Sequence, residues 1–229
     1  MQITRRFAIL SSFAAGLTGA TSAFAQRGGG RRRGPAASSA PPLPADDFER
    51  NALAVLDSID RNQRYLNVGR DDGRLLRMLV ESGNAKRIVE LGTSTGYSGI
   101  WLALGLKKTG GKLTTFEIDR ERAAIAGENF KRAGVADIVE IVVGDAHTET
   151  KKVSGTLDMV FSDADKEGYL TYFRTLAPLL RKGGLFVSDN MRRPSPEPEY
   201  VKAITTDPAF DTVFINMESQ GTGISLKKL

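Results

Sequence analysis

The 229-residue chain has no cysteine and only one histidine, His147. The absence of cysteine excludes disulfide bonds, thiolate catalysis and cysteine-ligated metal sites. A single histidine also excludes a zinc site built from several histidines.

Acidic residues are missing from the first 34 residues, which contain six arginines. The formal net charge of +5 therefore originates at this end, because removing those six charges leaves −1 for the remainder. A nearly neutral remainder offers no extended basic surface, so we expect no nucleic-acid partner.

The N-terminus has the pattern of an export signal. Arg5 and Arg6 precede an apolar stretch of small residues over 7–20, and Ala23-Phe24-Ala25 has the form of a cleavage site. We predict a signal peptide over 1–25, of the twin-arginine type, and hence a periplasmic protein. A protein whose signal is not used would stay cytoplasmic. The apolar stretch is short and contains Gly, Ser and Thr, so we expect no transmembrane span in the mature chain.

Residues 26–45 are rich in Arg, Gly and Pro and cannot bury a core, which predicts a disordered linker. From residue 46 onward, apolar patterns of helices and strands alternate. This order predicts an α/β, Rossmann-like domain over 46–229, with a mostly parallel sheet and helices on both faces. Strands are predicted at 87–91, 112–117, 138–144, 157–162, 185–188, 212–217 and 223–227, and helices at about 46–64, 71–82, 97–107, 120–133, 166–181 and 197–205.

Polar side chains follow the predicted strands at the point where each strand ends. They are Glu90, Glu117, Asp145, Asp163, Asp189 and Asn190. One such acid is most simply a helix cap. Because ligands of parallel sheets bind beyond the carboxyl ends of the strands, the whole set instead indicates a binding site.

The segment Glu90-Leu-Gly-Thr-Ser-Thr-Gly-Tyr-Ser98 joins a strand to a helix through a glycine turn. Such a turn brings the backbone close to a ligand at a helix N-terminus. Glu117 ends the next strand, where an acid binds ribose hydroxyls. Ser94 replaces the second glycine of G-x-G-x-x-G, the glycine that lets a pyrophosphate approach. The turn therefore favours a nucleoside without phosphates, such as S-adenosylmethionine, over a nicotinamide cofactor, and Glu90 is expected to hold its amino-acid end.

Asp163, Asp189 and Asn190 offer three oxygen ligands, which suit Mg²⁺ first and Ca²⁺ or Mn²⁺ as alternatives. Two helix caps and a turn asparagine would account for the same residues. Lys166 lies three residues after Asp163. A neighbouring dication would repel its ammonium form, so Lys166 is a candidate general base.

His147 is expected at the surface or beside the adenine, because no acid in the local sequence is placed to orient it. Tyr97 and Trp101 are expected in the core.

Five segments in this order resemble the cation-dependent O-methyltransferases, which include catechol and caffeoyl-CoA O-methyltransferases. They are Asn67-Val-Gly-Arg-Asp-Asp-Gly73, Glu90 to Ser98, Phe116-Glu-Ile-Asp119, Phe161-Ser-Asp-Ala-Asp-Lys166 and Ser188-Asp-Asn190. The resemblance covers about 46–229 and implies a class I methyltransferase fold, with a seven-stranded sheet ending in an antiparallel hairpin.

The resemblance also implies roles for individual residues. Lys166 would be the base, and Asp163, Asp189 and Asn190 the metal ligands. S-adenosylmethionine would be bound by Val68, Glu90, Gly92, Ser94, Ser98, Glu117, Asp145, Ala146 and Asp163.

The expected activity is cation-assisted methyl transfer to a hydroxyl of a small, catechol-like acceptor. The stretch after Asn190 is short and rich in proline, which reduces the usual substrate loop and disfavours acyl-CoA acceptors. Export away from the cytosolic source of the methyl donor keeps a second hypothesis open, a non-catalytic nucleoside-binding module in the cell envelope. A third is an envelope protein that acts through its arginine-rich tail. Related enzymes include dimers, so a homodimer is also considered.

Overall fold

A computed structural model of the protein describes residues 39–63, 65–192, 196–216 and 220–229. The predicted signal peptide over 1–25 and most of the predicted linker lie outside these residues. The described part of that linker, residues 39–45, contains neither helix nor strand.

Seven strands form one sheet in the order β3-β2-β1-β4-β5-β7-β6. Strands β1 to β5 pair in parallel, whereas β7 runs antiparallel to both β5 and β6. The predicted seven-stranded α/β sheet with a C-terminal antiparallel hairpin is therefore confirmed. The strands are β1 Arg87–Leu91, β2 Lys112–Glu117, β3 Val139–Val143, β4 Leu157–Ser162, β5 Leu180–Ser188, β6 Phe210–Ile215 and β7 Thr222–Lys227.

Helices cover both faces of this sheet. They are α1 Asp47–Asn62, α2 Arg70–Ser82, α3 Tyr97–Thr109, α4 Arg120–Ala133, α5 Ala146–Glu149, α6 Tyr169–Leu176 and α7 Pro198–Thr206. Tyr97 and Trp101 of α3 are buried in the core on one face, as predicted. Tyr169 and Tyr200 lie in the core on the other face. Among the described residues, no helix combines the length and the apolar character that crossing a membrane requires.

Glu49 fastens the N-terminal helices to one another. Its carboxylate accepts hydrogen bonds from the backbone N–H of Ala45 (3.0 Å) and from Arg77 of α2 (2.6 Å), and it pairs with Lys108 of α3 (3.2 Å). Burial opposes ionisation of this carboxyl, but these three partners outweigh it and lower the pKa of Glu49 to about 2. A buried charge with this many partners stabilises the packing of α1 against α2 and α3.

The prediction of one continuous helix over 166–181 is wrong. Residues Lys166–Gly168 form a 3₁₀ turn, α6 ends at Leu176, and a second 3₁₀ turn contains Pro178. Proline lacks the N–H that a continuing helix requires, so it ends the helix here. Strand β5 consequently begins at Leu180, five residues before its predicted start at 185. The sequence pattern also missed the short helix α5.

Candidate active site

The carboxyl ends of the parallel strands meet at one edge of the sheet. Leu91 at the end of β1 pairs with Phe116 of β2 and with Ser162 of β4, and Ser162 pairs with Ser188 of β5. A cavity of about 860 Å³ opens beyond this edge. It is lined by most of the predicted site residues, namely Gly92, Ser94, Glu117, Asp145, Ala146, Asp163, Lys166, Asp189 and Asn190.

The glycine turn approaches the strand-end loops closely enough to require glycine. Gly92 has a φ of 91°, and a Cβ at this position would lie 2.5 Å from the carbonyl oxygen of Asp163. Ser94 follows with a φ of 48°, in the left-handed region that residues with a side chain rarely adopt. Its N–H donates to one carboxylate oxygen of Glu117 (2.8 Å), and the N–H of Asp119 donates to the other (3.0 Å). Glu117 is therefore held in one orientation at the cavity wall.

Three predicted site residues do not line this cavity. Glu90 is fully buried beneath the turn, where its carboxylate accepts hydrogen bonds from the hydroxyls of Ser98 and Thr115, each at 2.6 Å. Burial raises the pKa of Glu90 to about 7, against the effect of these two hydrogen bonds. Val68 lines a neighbouring cleft instead. The predicted contacts of Glu90, Ser98 and Val68 with the nucleoside stay predictions.

His147 is oriented by an acid, contrary to the expectation from its local sequence. Its Nε2 lies 3.0 Å from a carboxylate oxygen of Asp165, and the hydroxyl of Tyr172 donates to the other oxygen (2.6 Å). The rings of His147 and Tyr172 also pack with their centroids 4.8 Å apart. Asp165 lies on the loop after β4, so the sequence separation of 18 residues concealed this contact. The side chain of Asp145 accepts a hydrogen bond from the backbone N–H of His147 (2.9 Å) and thereby caps the N-terminus of α5.

Lys166 is surrounded by oxygen atoms at the centre of the site. Its Nζ donates to Asp163 Oδ1 (3.1 Å), to the carbonyl of Ala164 (3.1 Å) and to the hydroxyl of Tyr169 (2.7 Å). These contacts account for all three N–H donors of the ammonium form. The single O–H of Tyr169 is in turn shared between the carbonyls of Ser162 (2.9 Å) and Asp189 (3.1 Å). Tyr169 therefore links Lys166 to the loops after β4 and β5.

Tyr169 was not among the predicted site residues. Its spacing of three residues from Lys166 places both on neighbouring positions of one turn, and that spacing was the available signal.

The carboxylates of Asp163, which is 14% exposed, and of buried Asp189 form an acidic pair that fits a divalent cation. Burial and the nearby negative charge of Asp189 raise the pKa of Asp163 to about 7, although Lys166 opposes this rise. Asn190 follows Asp189 with a φ of 55° and lines the same cavity. No group of three or more His, Cys, Asp or Glu side chains in the described ranges is arranged to hold a metal. A cation here would therefore use the two carboxylates together with the amide oxygen of Asn190.

A second cleft of about 760 Å³ meets the cavity at Asp189 and Asn190. Asp189, Asn190, Asn67 and Gln220 line both spaces. The larger cavity includes apolar side chains such as Phe116 and Ile118, whereas the second cleft is lined mainly by polar residues. Two ligands of different chemistry can therefore meet at Asp189 and Asn190.

Comparison with protein-family models matches residues 49–193 to the family described as O-methyltransferase. Among curated proteins, a catechol O-methyltransferase of Niastella koreensis is 39% identical over 146 residues, which cover 62% of this chain and 66% of that protein. A catechol O-methyltransferase of Mycobacterium tuberculosis is 39% identical over 143 residues, covering 62% and 64%. The chain thus spans slightly less than two thirds of the length of these curated relatives.

Solved structures of similar fold cover more of the chain. An O-methyltransferase from Bacillus cereus in complex with SAH superposes with a TM-score of 0.69 and 28% identity, over 81% of this chain and 93% of that one. The O-methyltransferase TomG from Streptomyces achromogenes, in complex with SAM, gives a TM-score of 0.69 and 27% identity over 82% and 92%.

Proposed function

The chain belongs to the O-methyltransferase family, and from this premise we propose that it transfers a methyl group from S-adenosylmethionine to a hydroxyl of a small, catechol-like acceptor, assisted by a divalent cation. The observation that carries the proposal is the convergence of Asp163, Lys166, Asp189 and Asn190 on the wall of one cavity. The same cavity contains Ser94 and Glu117, which suit a nucleoside.

The methyl donor fits the part of the cavity between the glycine turn and the loop after β3. Glu117 is positioned to accept hydrogen bonds from ribose hydroxyls, and the apolar Ile118 beside it offers a surface for the adenine. Asp145 and Ala146 line the same part of the wall. When bound, the donor supplies an electrophilic methyl group on a sulfonium sulfur, and its transfer leaves a neutral thioether.

The cation would be held by Asp163, Asp189 and Asn190. When bound, Mg²⁺ or a similar dication lowers the pKa of an acceptor hydroxyl and orients it for attack. Binding would also neutralise the charge of two carboxylates that lie close together in a buried site.

Lys166 is the proposed proton acceptor. The hydroxyl proton of the acceptor moves to Nζ, the new O–C bond forms, and the bond between the methyl carbon and sulfur breaks. The neutral amine that accepts this proton has two N–H donors and a lone pair, so one of the three oxygen contacts of Lys166 has to be released. Asp163 is the natural contact to give up, because a cation would compete for the same carboxylate. Tyr169 would then hold the amine in place through its 2.7 Å hydrogen bond.

The acceptor is proposed to enter through the second cleft, which shares Asp189 and Asn190 with the donor cavity. A vicinal diol suits this junction, because both of its oxygens can reach one cation. The names of two relatives, catechol O-methyltransferases at 39% identity, support this acceptor class.

The test is a methylation assay with purified protein, S-adenosylmethionine, catechol and Mg²⁺. We expect methylated product, its loss in excess chelator, and loss of at least about 100-fold in rate for Asp163→Asn. Asp137→Asn is the matched control, because Asp137 is an exposed partner of Lys107 outside the cavity. A normal rate for Asp163→Asn would refute the proposed metal site. Binding of the donor without any turnover would instead support the non-catalytic module.

Export to the periplasm through a cleaved twin-arginine signal remains a further proposal. Cell fractionation of the native protein and of an Arg5→Lys/Arg6→Lys variant tests it, because a twin-arginine signal requires both arginines. Retention of only the variant in the cytoplasm supports export, whereas equal distribution of the two contradicts this route. Association into a homodimer is also a proposal, which sedimentation analysis of the purified chain would decide.

A further inference from the structure

Ser94 occupies a backbone conformation that its side chain disfavours. Its φ of 48° lies in the left-handed region, at the position where a dinucleotide-binding turn has its second glycine. Residues with a side chain persist in this region only where their surroundings restrain them. The restraint on Ser94 should therefore be visible among its contacts.

Asn67, on the loop between α1 and α2, supplies contacts that hold this turn. Its Oδ1 accepts a hydrogen bond from the Thr95 hydroxyl (2.9 Å) and a longer one from the Ser94 hydroxyl (3.5 Å). Its Nδ2 donates to the carbonyl of Gln63 at the end of α1 (3.1 Å). The Thr95 side chain is fully buried, so loss of its acceptor would leave a buried hydroxyl unsatisfied.

A second asparagine, Asn129, also contacts this turn. Asn129 of α4 donates to the carbonyl of Thr95 (2.9 Å) and to the side chain of Gln63 (2.7 Å). The Ser94 turn is thus tied to the end of α1 through Asn67 and to α4 through Asn129. Of the two asparagines, Asn67 also lines the donor cavity and the second cleft.

We infer that Asn67 is a positioning residue for the methyl donor, holding the left-handed Ser94 turn that a glycine would adopt unaided. The inference rests on the proposed function. A chain of contacts connects Asn67 to the proposed methyl-donor site. Asn67 accepts hydrogen bonds from Thr95 and Ser94, and the N–H of Ser94 donates to Glu117. Both Ser94 and Glu117 line the cavity in which the donor is proposed to bind. Loss of the Asn67 side chain would loosen the turn and misplace Glu117, without touching Lys166.

Calorimetric titration of the full chain with S-adenosylhomocysteine tests this inference through four proteins: native, Asn67→Leu, Ser94→Gly and the double variant. Since a lost buried hydrogen bond corresponds to roughly a factor of ten, Asn67→Leu should raise Kd about tenfold in the native background. With glycine at 94 the turn no longer needs the restraint, so the same substitution should raise Kd less than about threefold. At saturating S-adenosylmethionine, kcat of Asn67→Leu should stay within about twofold of native.

Asn51→Leu is the matched control, because Asn51 also donates a side-chain hydrogen bond (2.7 Å, to the carbonyl of Arg132) but does not line the cavity. Its Kd should equal the native value. Equal increases for Asn67→Leu in both backgrounds, or no increase, would overturn the inference while leaving the proposed function intact. A native protein that binds neither S-adenosylmethionine nor S-adenosylhomocysteine would overturn both.

A second pair of variants covers the case in which Asn67→Leu fails to fold. Thr95→Val removes the hydroxyl that donates to Asn67 at nearly constant volume, whereas Thr95→Ser keeps it. Weakened binding for valine and native binding for serine supports the role of Asn67. Equal binding by the two variants contradicts it.

Discussion

Glu90 makes the stability of the fold depend on pH in a direction opposite to that of most carboxylates. Burial raises its pKa from 4.5 to about 7 in the folded protein. Between these two pH values the folded protein keeps a proton that the unfolded chain releases. Stability from this group is therefore fully present below pH 4.5, declines as the pH rises through about 7, and stays constant above that.

The size of this effect follows from the two pKa values. One pKa unit corresponds to about 1.4 kcal/mol, so a rise from 4.5 to about 7 amounts to about 3 kcal/mol. The substitution Glu90→Gln removes the titration and keeps the size of the side chain, while an NH₂ donor replaces one of the two acceptor oxygens. The Ser98 and Thr115 hydroxyls bind different carboxylate oxygens, each at 2.6 Å, so in the variant one hydroxyl donates to the amide oxygen and the other turns to accept from the amide N–H.

The assay compares the free energy of unfolding in urea for native protein and Glu90→Gln from pH 4.5 to 8. Other titrating groups are common to both proteins, so the difference between the two curves isolates Glu90. We expect the native protein to lose about 3 kcal/mol relative to the variant across this range. Glu140→Gln, the same substitution at an exposed position of β3, is the reference. Parallel curves for native and Glu90→Gln would refute the argument, because they would mean that Glu90 ionises in the folded protein as it does in the unfolded chain.

Three further substitutions test other contacts. Glu49→Gln should lower the free energy of unfolding in urea by about 2 kcal/mol at pH 7, allowing for solvent screening. This advantage of the native protein should be fully present above pH 4.5 and should be lost as the pH falls through about 2. Tyr169→Phe removes the hydroxyl that holds Lys166, so kcat should fall about 10- to 100-fold with donor affinity unchanged in calorimetry. Gly92→Ala should lower Tm and donor affinity together, because its Cβ meets a carbonyl oxygen, whereas Gly110→Ala, also at positive φ but in open space, should cost only about 1 kcal/mol. Activity unchanged in Tyr169→Phe, or native affinity in Gly92→Ala, would contradict these roles.

The strand ends were predictable because two rules act together. Apolar runs such as 87–91 and 157–162 identify buried parallel strands, and parallel strands bring their carboxyl ends to the same edge. The positions of Glu117, Asp163 and Asp189 around one cavity follow from those rules alone. The extent of α6 did not follow, because periodicity continues past Pro178 although the missing N–H ends the helix.

Contacts between side chains that are distant in the sequence were the main feature of the site that the pattern of apolar residues could not predict. The partners Asp165 and His147 are 18 residues apart, and Asn67 and Thr95 are 28 apart. Neither pair lies on adjacent positions of a helix or on paired strands, so no periodicity connects them. Glu90 illustrates a related difficulty, since its position at a strand end was foreseen but its complete burial beneath α3 was not. Burial of an acid at a strand end depends on how a helix packs over it. The local sequence identifies the acid but does not predict that packing.

The cavity and the second cleft meet at a junction formed by a few shared residues. Asp189 and Asn190 line both spaces, whereas Glu117 lines only the donor cavity and Val68 only the second cleft. A reaction between two ligands requires their reacting atoms to come within about 3–3.5 Å, which is attainable only where the spaces meet. In the proposed reaction, residues at that junction therefore have to serve binding and chemistry at once, which hard oxygen ligands of a shared cation would do. The strand order, which places β4 and β5 side by side at the centre of the sheet, determines where that junction can form.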